Sequence, residues 1–266
     1  MLEISRASFY KQTKQRQAKA VDEKLILELV RRERAMMPRL GSRKLLWQIR
    51  PDLEDAGLKL GRGKLIKILK RNNMLVPKIK AFTPKTTKFD SSLEVAHNLI
   101  KEIEVTCVNQ VWVADITYIR LANGFIYLCL IMDKYSRKII GWHAGNTLET
   151  SGVLKALDMA LGTLRPGDPK PIHHSDRGSQ YASHLFQDRL KSAGLKCSMT
   201  EELHCYENAH AERLNGILKY EFGLGCTFEN KEQACKATSQ AIEIYNLCRP
   251  HESLGYKTPQ QVYSAA

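Results

Sequence analysis

The chain has 266 residues, 43% of them apolar and 26% charged, with a formal net charge of +13. That size allows one large domain or two ordinary ones, and that balance excludes a disordered chain. Seven cysteines, an odd number with no C-x-x-C pair, exclude a disulfide framework and a zinc knuckle and fit a reducing compartment.

The charge is unevenly placed. Residues 1–95 hold 23 Lys and Arg against 10 Asp and Glu, whereas residues 96–266 hold 18 of each. Such asymmetry points to a polyanionic partner. With no amphipathic anchor in view, nucleic acid is favoured over a membrane surface. The polar start, MLEISRASFYKQTKQRQ, lacks the apolar segment of a signal peptide. The longest apolar run, FIYLCLIM at 125–132, is too short to span a bilayer. A cytoplasmic protein without a membrane partner is expected.

In chain order, VDEKLILELVRRERAM (21–36) places Leu25, Leu29 and Val30 on one helical face. SRKLLWQI (42–49) predicts a second helix, with Ser42 as a cap and Leu45, Leu46 and Ile49 apolar, ending in a bend around Pro51 and Gly57. GRGKLIKILKRNN (61–73) predicts a third. It buries Leu65, Ile66 and Leu69 and shows Arg62, Lys64, Lys67, Lys70 and Arg71. Two short helices with a basic second one suit a helix-turn-helix, or an ordinary bundle with solvated lysines. VPKIKAFTPKTTKFDSS (76–92), with two prolines, reads as a linker.

Beyond residue 108 the period changes. QVWVADITYIR (110–120), FIYLCLIMD (125–133) and RKIIGWHA (137–144) read as three strands, the first two joined by a hairpin turn at LANG. SGVLKALDMALG (151–162) is helical, PIHHSD (171–176) a fourth strand, YASHLFQDRLKSAG (181–194) a helix and KCSMT (196–200) a fifth strand. Strands first adjacent and then alternating with helices make a mixed α/β domain.

Three carboxylates stand out. Asp115 lies inside the first strand, where aspartate is disfavoured and a buried carboxylate needs a partner. Asp176 ends the fourth strand. In HCYENAHAERLNGILKYEF (204–222), Ala211, Leu214, Leu218 and Phe222 form an apolar helical face, with Asn208, Glu212, Asn215 and Lys219 as a polar stripe beside it. Glu212 is then a carboxylate able to face a sheet, or part of a solvated helix face. Two converging carboxylates repel, and a hard divalent cation with oxygen ligands removes that cost.

Asp176 and Glu212 are separated by 35 residues. With WVADITYI, IMDKYSRKIIGW, HHSDRGSQY, ENAHAERLNGILKYE and YNLCRPHESLGYKTP in order over 110–259, the chain resembles the transposases of the retroviral-integrase (DDE) superfamily. It looks most like the second reading frame of the insertion-sequence-three (IS-three) family. ISRASFY and the helix-turn-helix region are similar too, so the likeness covers nearly the whole chain. The resemblance implies a ribonuclease-H-like catalytic core at 106–225, preceded by a basic helix-turn-helix domain at 1–80 and a linker at 81–105. A C-terminal helix and tail, 226–266, would pack on the core.

It also implies that Asp115, Asp176 and Glu212 are catalytic and hold two Mg²⁺ (or Mn²⁺) ions, ~3.5–4 Å apart as in two-metal sites generally. The reaction implied is cleavage at the ends of an insertion sequence and transfer of the 3′-hydroxyl to target DNA. Partners would be the element ends, target DNA, further copies of the chain, and an upstream-frame protein or fusion, acting at a bacterial nucleoid. Phosphate contacts are expected from Arg62, Lys64, Lys67, Lys70 and Arg71, and from Arg177, Asn208, Arg213, Asn215 and Lys219. Gln180 is a further candidate for such a contact.

Glu207 stands where many relatives have Asp, which makes it a rival to Glu212. Glu221 reads as structural, Asp133 as a turn acid, and Arg249, Pro250 and His251 as fixing a terminal loop. His173 and His174 read as packing or DNA-contacting residues, since Mg²⁺ prefers oxygen ligands. Two other functions fit less of the pattern: a catalytically silent DNA-binding regulator, and a nuclease of the same fold.

Overall fold

The computed structural model describes residues 6–77, 96–201 and 208–266, with side chains in the first helix from Val21 onward. It divides into two compact units, Met1–Ile79 and Lys80–Ala266.

The first unit is helical: α1 (Arg6–Met36), α2 (Ser42–Asp55) and α3 (Arg62–Arg71). Each helix buries residues at helical spacing. These are Ile26, Leu29 and Val30 from α1, Leu45, Ile49 and Leu53 from α2, and Leu65, Ile68 and Leu69 from α3. Ile68, rather than the expected Ile66, completes the α3 stripe, because the turn of the helix carries Ile66 to its half-buried flank. Ser42 is no cap: Gly41 holds that position, and no side chain caps α2. Nor does the chain bend at Pro51. The stripe Leu45–Ile49–Leu53 carries α2 past the exposed proline to Asp55, and the reversal comes at Gly57 with φ +68°. Arg32 of α1 donates to both carboxylate oxygens of Asp52 at 2.9 and 2.7 Å, which ties α1 to α2. Arg62, Lys64, Lys67, Lys70 and Arg71 all lie exposed. Arg71 also pairs with Glu23 at 2.7 Å, which ties α3 to α1.

The second unit is built on a five-stranded sheet of order β3-β2-β1-β4-β5. Its strands are β1 (Val111–Leu121), β2 (Gly124–Asp133), β3 (Ile139–Gly145), β4 (Ile172–Ser175) and β5 (Lys196–Met199). β1 and β2 pair antiparallel from Trp112↔Asp133 to Leu121↔Gly124, so Ala122 and Asn123 alone make the turn, with Gly124 at φ +101°. β3 extends that meander. β4 pairs parallel with β1 and β5 parallel with β4. Parallel pairing requires crossovers. They are α4 (Thr150–Leu161) before β4, then α5 (Ser179–Ala182) and α6 (His184–Ser192) before β5. The single helix expected over 181–194 is thus two, because Ser183 is extended and its hydroxyl caps α6 by accepting from the Phe186 N–H.

Both faces of the sheet are covered, which explains why its inner strand β2 is near-continuous in apolar residues. On one face Val111, Val113, Leu128 and Leu130 meet Leu214 and Leu218 of α7 (Ala209–Tyr220), with Ile242 and Tyr245 of α8 (Lys231–Leu247). On the other, Trp112, Ala114 and Ile131 meet Val153 and Leu157 of α4, Phe186 of α6, and Tyr263 of α9 (Pro259–Ser264). Arg249 is buried and donates twice to Glu221 at 2.8 Å and lies 2.9 Å from His251 Nε2, which fixes the terminal segment against the end of α7. Asp133 is fully buried at the end of β2. It accepts from the Asn109 and Ser136 N–H groups and the Ser136 hydroxyl, as a turn acid does.

Gly141 in β3 marks the closest approach of α4 to the sheet: a Cβ there would stand 2.2 Å from the Ala156 carbonyl oxygen. Gly141→Ala is therefore expected to destabilise the second unit by about 1–3 kcal/mol, as overpacking does. A denaturant midpoint no lower than that of the parent would refute this.

Candidate active site

The first aspartate owes its place to strand register. Val113 pairs with His174 where β1 and β4 run parallel, so two residues further on Asp115 and Asp176 stand at matching positions. β4 ends at Ser175, and its pairing with β1 covers only Val111–Val113. Beyond that point β1 stays paired with β2 but, among the described residues, has no named strand along its β4 side. The carboxyl ends of parallel strands, where one stops and its neighbour continues, are where α/β sheets make their ligand crevices.

Asp115 alternates with Val113 and so faces α7. Asn215, buried at 8% exposure, donates its Nδ2 to Asp115 Oδ2 at 2.6 Å. About two turns earlier Asn208, at 3% exposure, donates to the Ala114 carbonyl at 3.1 Å. The polar stripe of α7 is thus docked on β1. The phosphate contacts expected of Asn208 and Asn215 do not match these positions: burial keeps both amides from the surface, and they hold the strand instead.

Glu212 sits between them in the first turn of α7, at the solvent edge. A carboxylate is favoured there by the helix dipole. Lys219, half-buried in the last turn, lies with its Nζ 4.3 Å from the centre of the Tyr118 ring. Asp176 is oriented by its own loop, accepting from the Gly178 N–H at 3.1 Å. Arg177 donates to the Thr200 carbonyl at 2.6 Å, so it braces the ends of β4 and β5. Arg213 is exposed. Gln180 donates to the Leu148 carbonyl at 2.9 Å. His173 and His174 are fully buried, and His173 lies against the Tyr181 and Phe186 rings, in packing positions. Glu207 falls outside the described residues.

The three carboxylates feel one another. Burial, then the charge of Asp176 and more weakly that of Glu212, pushes Asp115 up to about 8, against the pull of the Ile116 N–H and Lys219. Partial shielding, with Asp176 second, raises Glu212. Burial lowers Lys219, while Asp115 opposes that shift. The donor set of Asp115, Asp176, Glu212 and the Asn215 amide is all oxygen or neutral amide. The Asn215 Oδ1 is buried without a hydrogen-bond partner. Among the described residues, no three His, Cys, Asp or Glu side chains are drawn together closely enough to hold an ion as a group.

Sequence reasoning missed what surrounds these acids: that Asn208 and Asn215 serve β1, and that Tyr118 and Phe125 flank the site. Alternation along β1 sets Tyr118 on the face opposite Asp115, so the sequence carried no signal for the latter.

Residues 105–205 match the family "Integrase core domain", and residues 193–259 match a second family of the same description. The chain is 35% identical over 260 residues to the "Insertion element IS600 uncharacterized 31 kDa protein" of Shigella sonnei, covering 96% of this chain and 93% of that one. It is 33% identical over 195 residues to "Transposase InsF for insertion sequence IS3A" of Escherichia coli (strain K12), covering 73% and 67%. To "Transposase for insertion sequence element IS629" of Shigella sonnei it is 38% identical, but there it spans only 52% of the relative's length. Among solved structures, the intasome of simian T-cell lymphotropic virus in complex with PP2A regulatory subunit B56 gamma aligns with a TM-score of 0.51. The identity is 19%, covering 84% of this chain and 70% of that one. That likeness shows the α/β integrase fold. No described helix is long and apolar enough to cross a membrane.

The raised Asp115 has a consequence for stability. Below pH ~4 the carboxyl is protonated in both folded and unfolded chains. Between pH ~4 and ~8 the unfolded chain releases a proton that the fold retains. Without metal, stability therefore falls as pH rises through that window, with a slope of at most ~1.4 kcal/mol per pH unit from this group. In EDTA, the melting temperature of Asp115→Asn should pull above that of the parent progressively from pH 4 to 8. Parallel curves would show that the carboxyl is not held protonated.

Proposed function

Because this chain belongs to the insertion-sequence-three family of transposases, DNA-recombining enzymes with an integrase core, we propose that Asp115, Asp176 and Glu212 are its catalytic carboxylates. The observation that carries this reading is the pairing of β1 with β4. It sets two aspartates at matching positions where the shorter strand ends, under a helix that bears the third acid.

The donor chemistry of these residues suits two divalent cations, Mg²⁺ or Mn²⁺, whose binding would have to draw the three acids closer together. The donors are hard oxygens, the carboxylates repel one another when ionised, and the Asn215 carbonyl oxygen beside Asp115 has no partner. When bound, the ions supply Lewis-acid stabilisation of the reacting phosphate and favour ionisation of the attacking hydroxyl. The chain's own residues do the rest. Asn215 and the Ile116 N–H fix the two oxygens of Asp115. The Gly178 N–H fixes Asp176. Asp115 must lose the proton that burial favours, so occupation of the site is coupled to pH.

The substrates of this reading are the ends of an insertion sequence and a target duplex. Cleavage exposes a 3′-hydroxyl, which then attacks a target phosphate in line. Exposed Arg62, Lys64, Lys67, Lys70 and Arg71 on α3 supply sequence-independent contacts to DNA, and Arg213 and Lys219 supply them near the acids. Joining two ends to one target calls for more than one copy of the chain, with an upstream-frame protein as a further partner, in the cytoplasm beside the chromosome.

The test is a junction assay in cells carrying the gene, its upstream frame and its flanking DNA on a plasmid. Wild type is expected to yield abutted ends, and Asp115→Asn, Asp176→Asn and Glu212→Gln to yield none. Asn215→Ala should retain activity lowered about 10–100-fold, as loss of a ligand-orienting partner does. Junctions from Glu212→Gln would transfer the role to Glu207.

A further inference from the structure

Next to Asp176 a groove of about 380 Å³ runs along the outer half of the β1–β2 hairpin. Its floor is aromatic. Tyr118 pairs across the strands with Tyr127, and Arg120 with Phe125. The Tyr118 and Phe125 rings meet edge to face at 5.3 Å. A cation stands at each end of this row: Lys219 lies 4.3 Å from the Tyr118 ring centre and Arg120 6.0 Å from that of Phe125. Phe125 is 46% exposed, an uncovered apolar face in the same groove as Asp176.

We propose that this groove takes the unpaired bases of the nucleotides adjoining the scissile phosphate, so that the DNA end is opened as it enters the site. The inference rests on the function proposed above and adds a base-binding surface to it. Three observations choose a nucleic-acid strand over a protein segment. The groove is lined by Asp176 itself, so its occupant is continuous with whatever reacts there. Aromatic faces bracketed by cations match bases flanked by phosphates. The bases of an intact duplex are stacked inside it and cannot reach such rings, so a strand seated here has left its partner. Stacking tolerates any base, so the groove opens ends without reading their sequence.

The measurement is anisotropy of a labelled single-stranded octanucleotide, and of its counterpart with abasic residues, binding to the full chain in EDTA. Wild type is expected to bind the base-bearing strand about tenfold more tightly than the abasic one. Phe125→Ala should abolish that preference and leave abasic affinity unchanged, whereas Phe125→Trp should keep it. Phe125 lies at the surface, so neither change threatens folding. Equal affinity of wild type for both strands would overturn the inference, as would equal weakening of both by Phe125→Ala, which marks purely ionic contact. So would a shift of Phe125→Ala from dimer to monomer with base preference intact, which marks a protein interface. Base preference is read without catalysis. Cleavage by wild type without base preference therefore refutes only the groove, and base preference without cleavage refutes only the proposed reaction.

Discussion

A parallel pairing three residues long, Val111–Val113 of β1 against Ile172–His174 of β4, organises the catalytic unit. It is too short to cover the rest of β1, and it brings two like charges to one place. The other polar features of the site answer that repulsion. The Asn215 amide holds one oxygen of Asp115, the Ile116 N–H the other, and Lys219 stands within electrostatic reach. None of these fully offsets burial, and Asp115 stays well above the usual carboxylate range. A site so arranged is incomplete by itself, because its low-energy states are a retained proton or a bound cation.

The same tension shapes how DNA approaches. On the reading proposed above, a phosphate must come among acids that repel it. Cations one shell out, such as Lys219 beside Tyr118 and exposed Arg213 on α7, soften that repulsion without neutralising the acids. On the same reading, the exposed basic residues of α3 add an attraction that does not depend on the site.

Much of this was legible in the sequence, for identifiable reasons. The strand around Asp115 and its partner β2 announce themselves by their apolar residues, and the hairpin between them is marked by Gly124, which takes the positive φ that closes it. The helix of Glu212 follows from Ala211, Leu214 and Leu218. Periodicity says which side chains share a face but not what that face meets. It therefore grouped Asn208 and Asn215 with Lys219 as phosphate contacts, while packing buries the first two against β1. The cap at Ser42 and the bend at Pro51 failed on a different ground. Both are local preferences worth about 1–3 kcal/mol, within reach of an apolar stripe that continues to Leu53. Nothing in the sequence pointed to the Lys219–Tyr118 contact, because it joins elements a hundred residues apart.

The two asparagines of α7 also change what the interval between the second and third acids means. They are seven residues apart, about two full helical turns, and each grips a fixed point on β1. Glu212 is thereby held in phase as well as in place. One residue added between Asn208 and Asn215 rotates the helix by ~100° and separates one grip from the other. The last stretch of the 35-residue spacing, from Asn208 to Glu212, is thus fixed as an angle as much as a length.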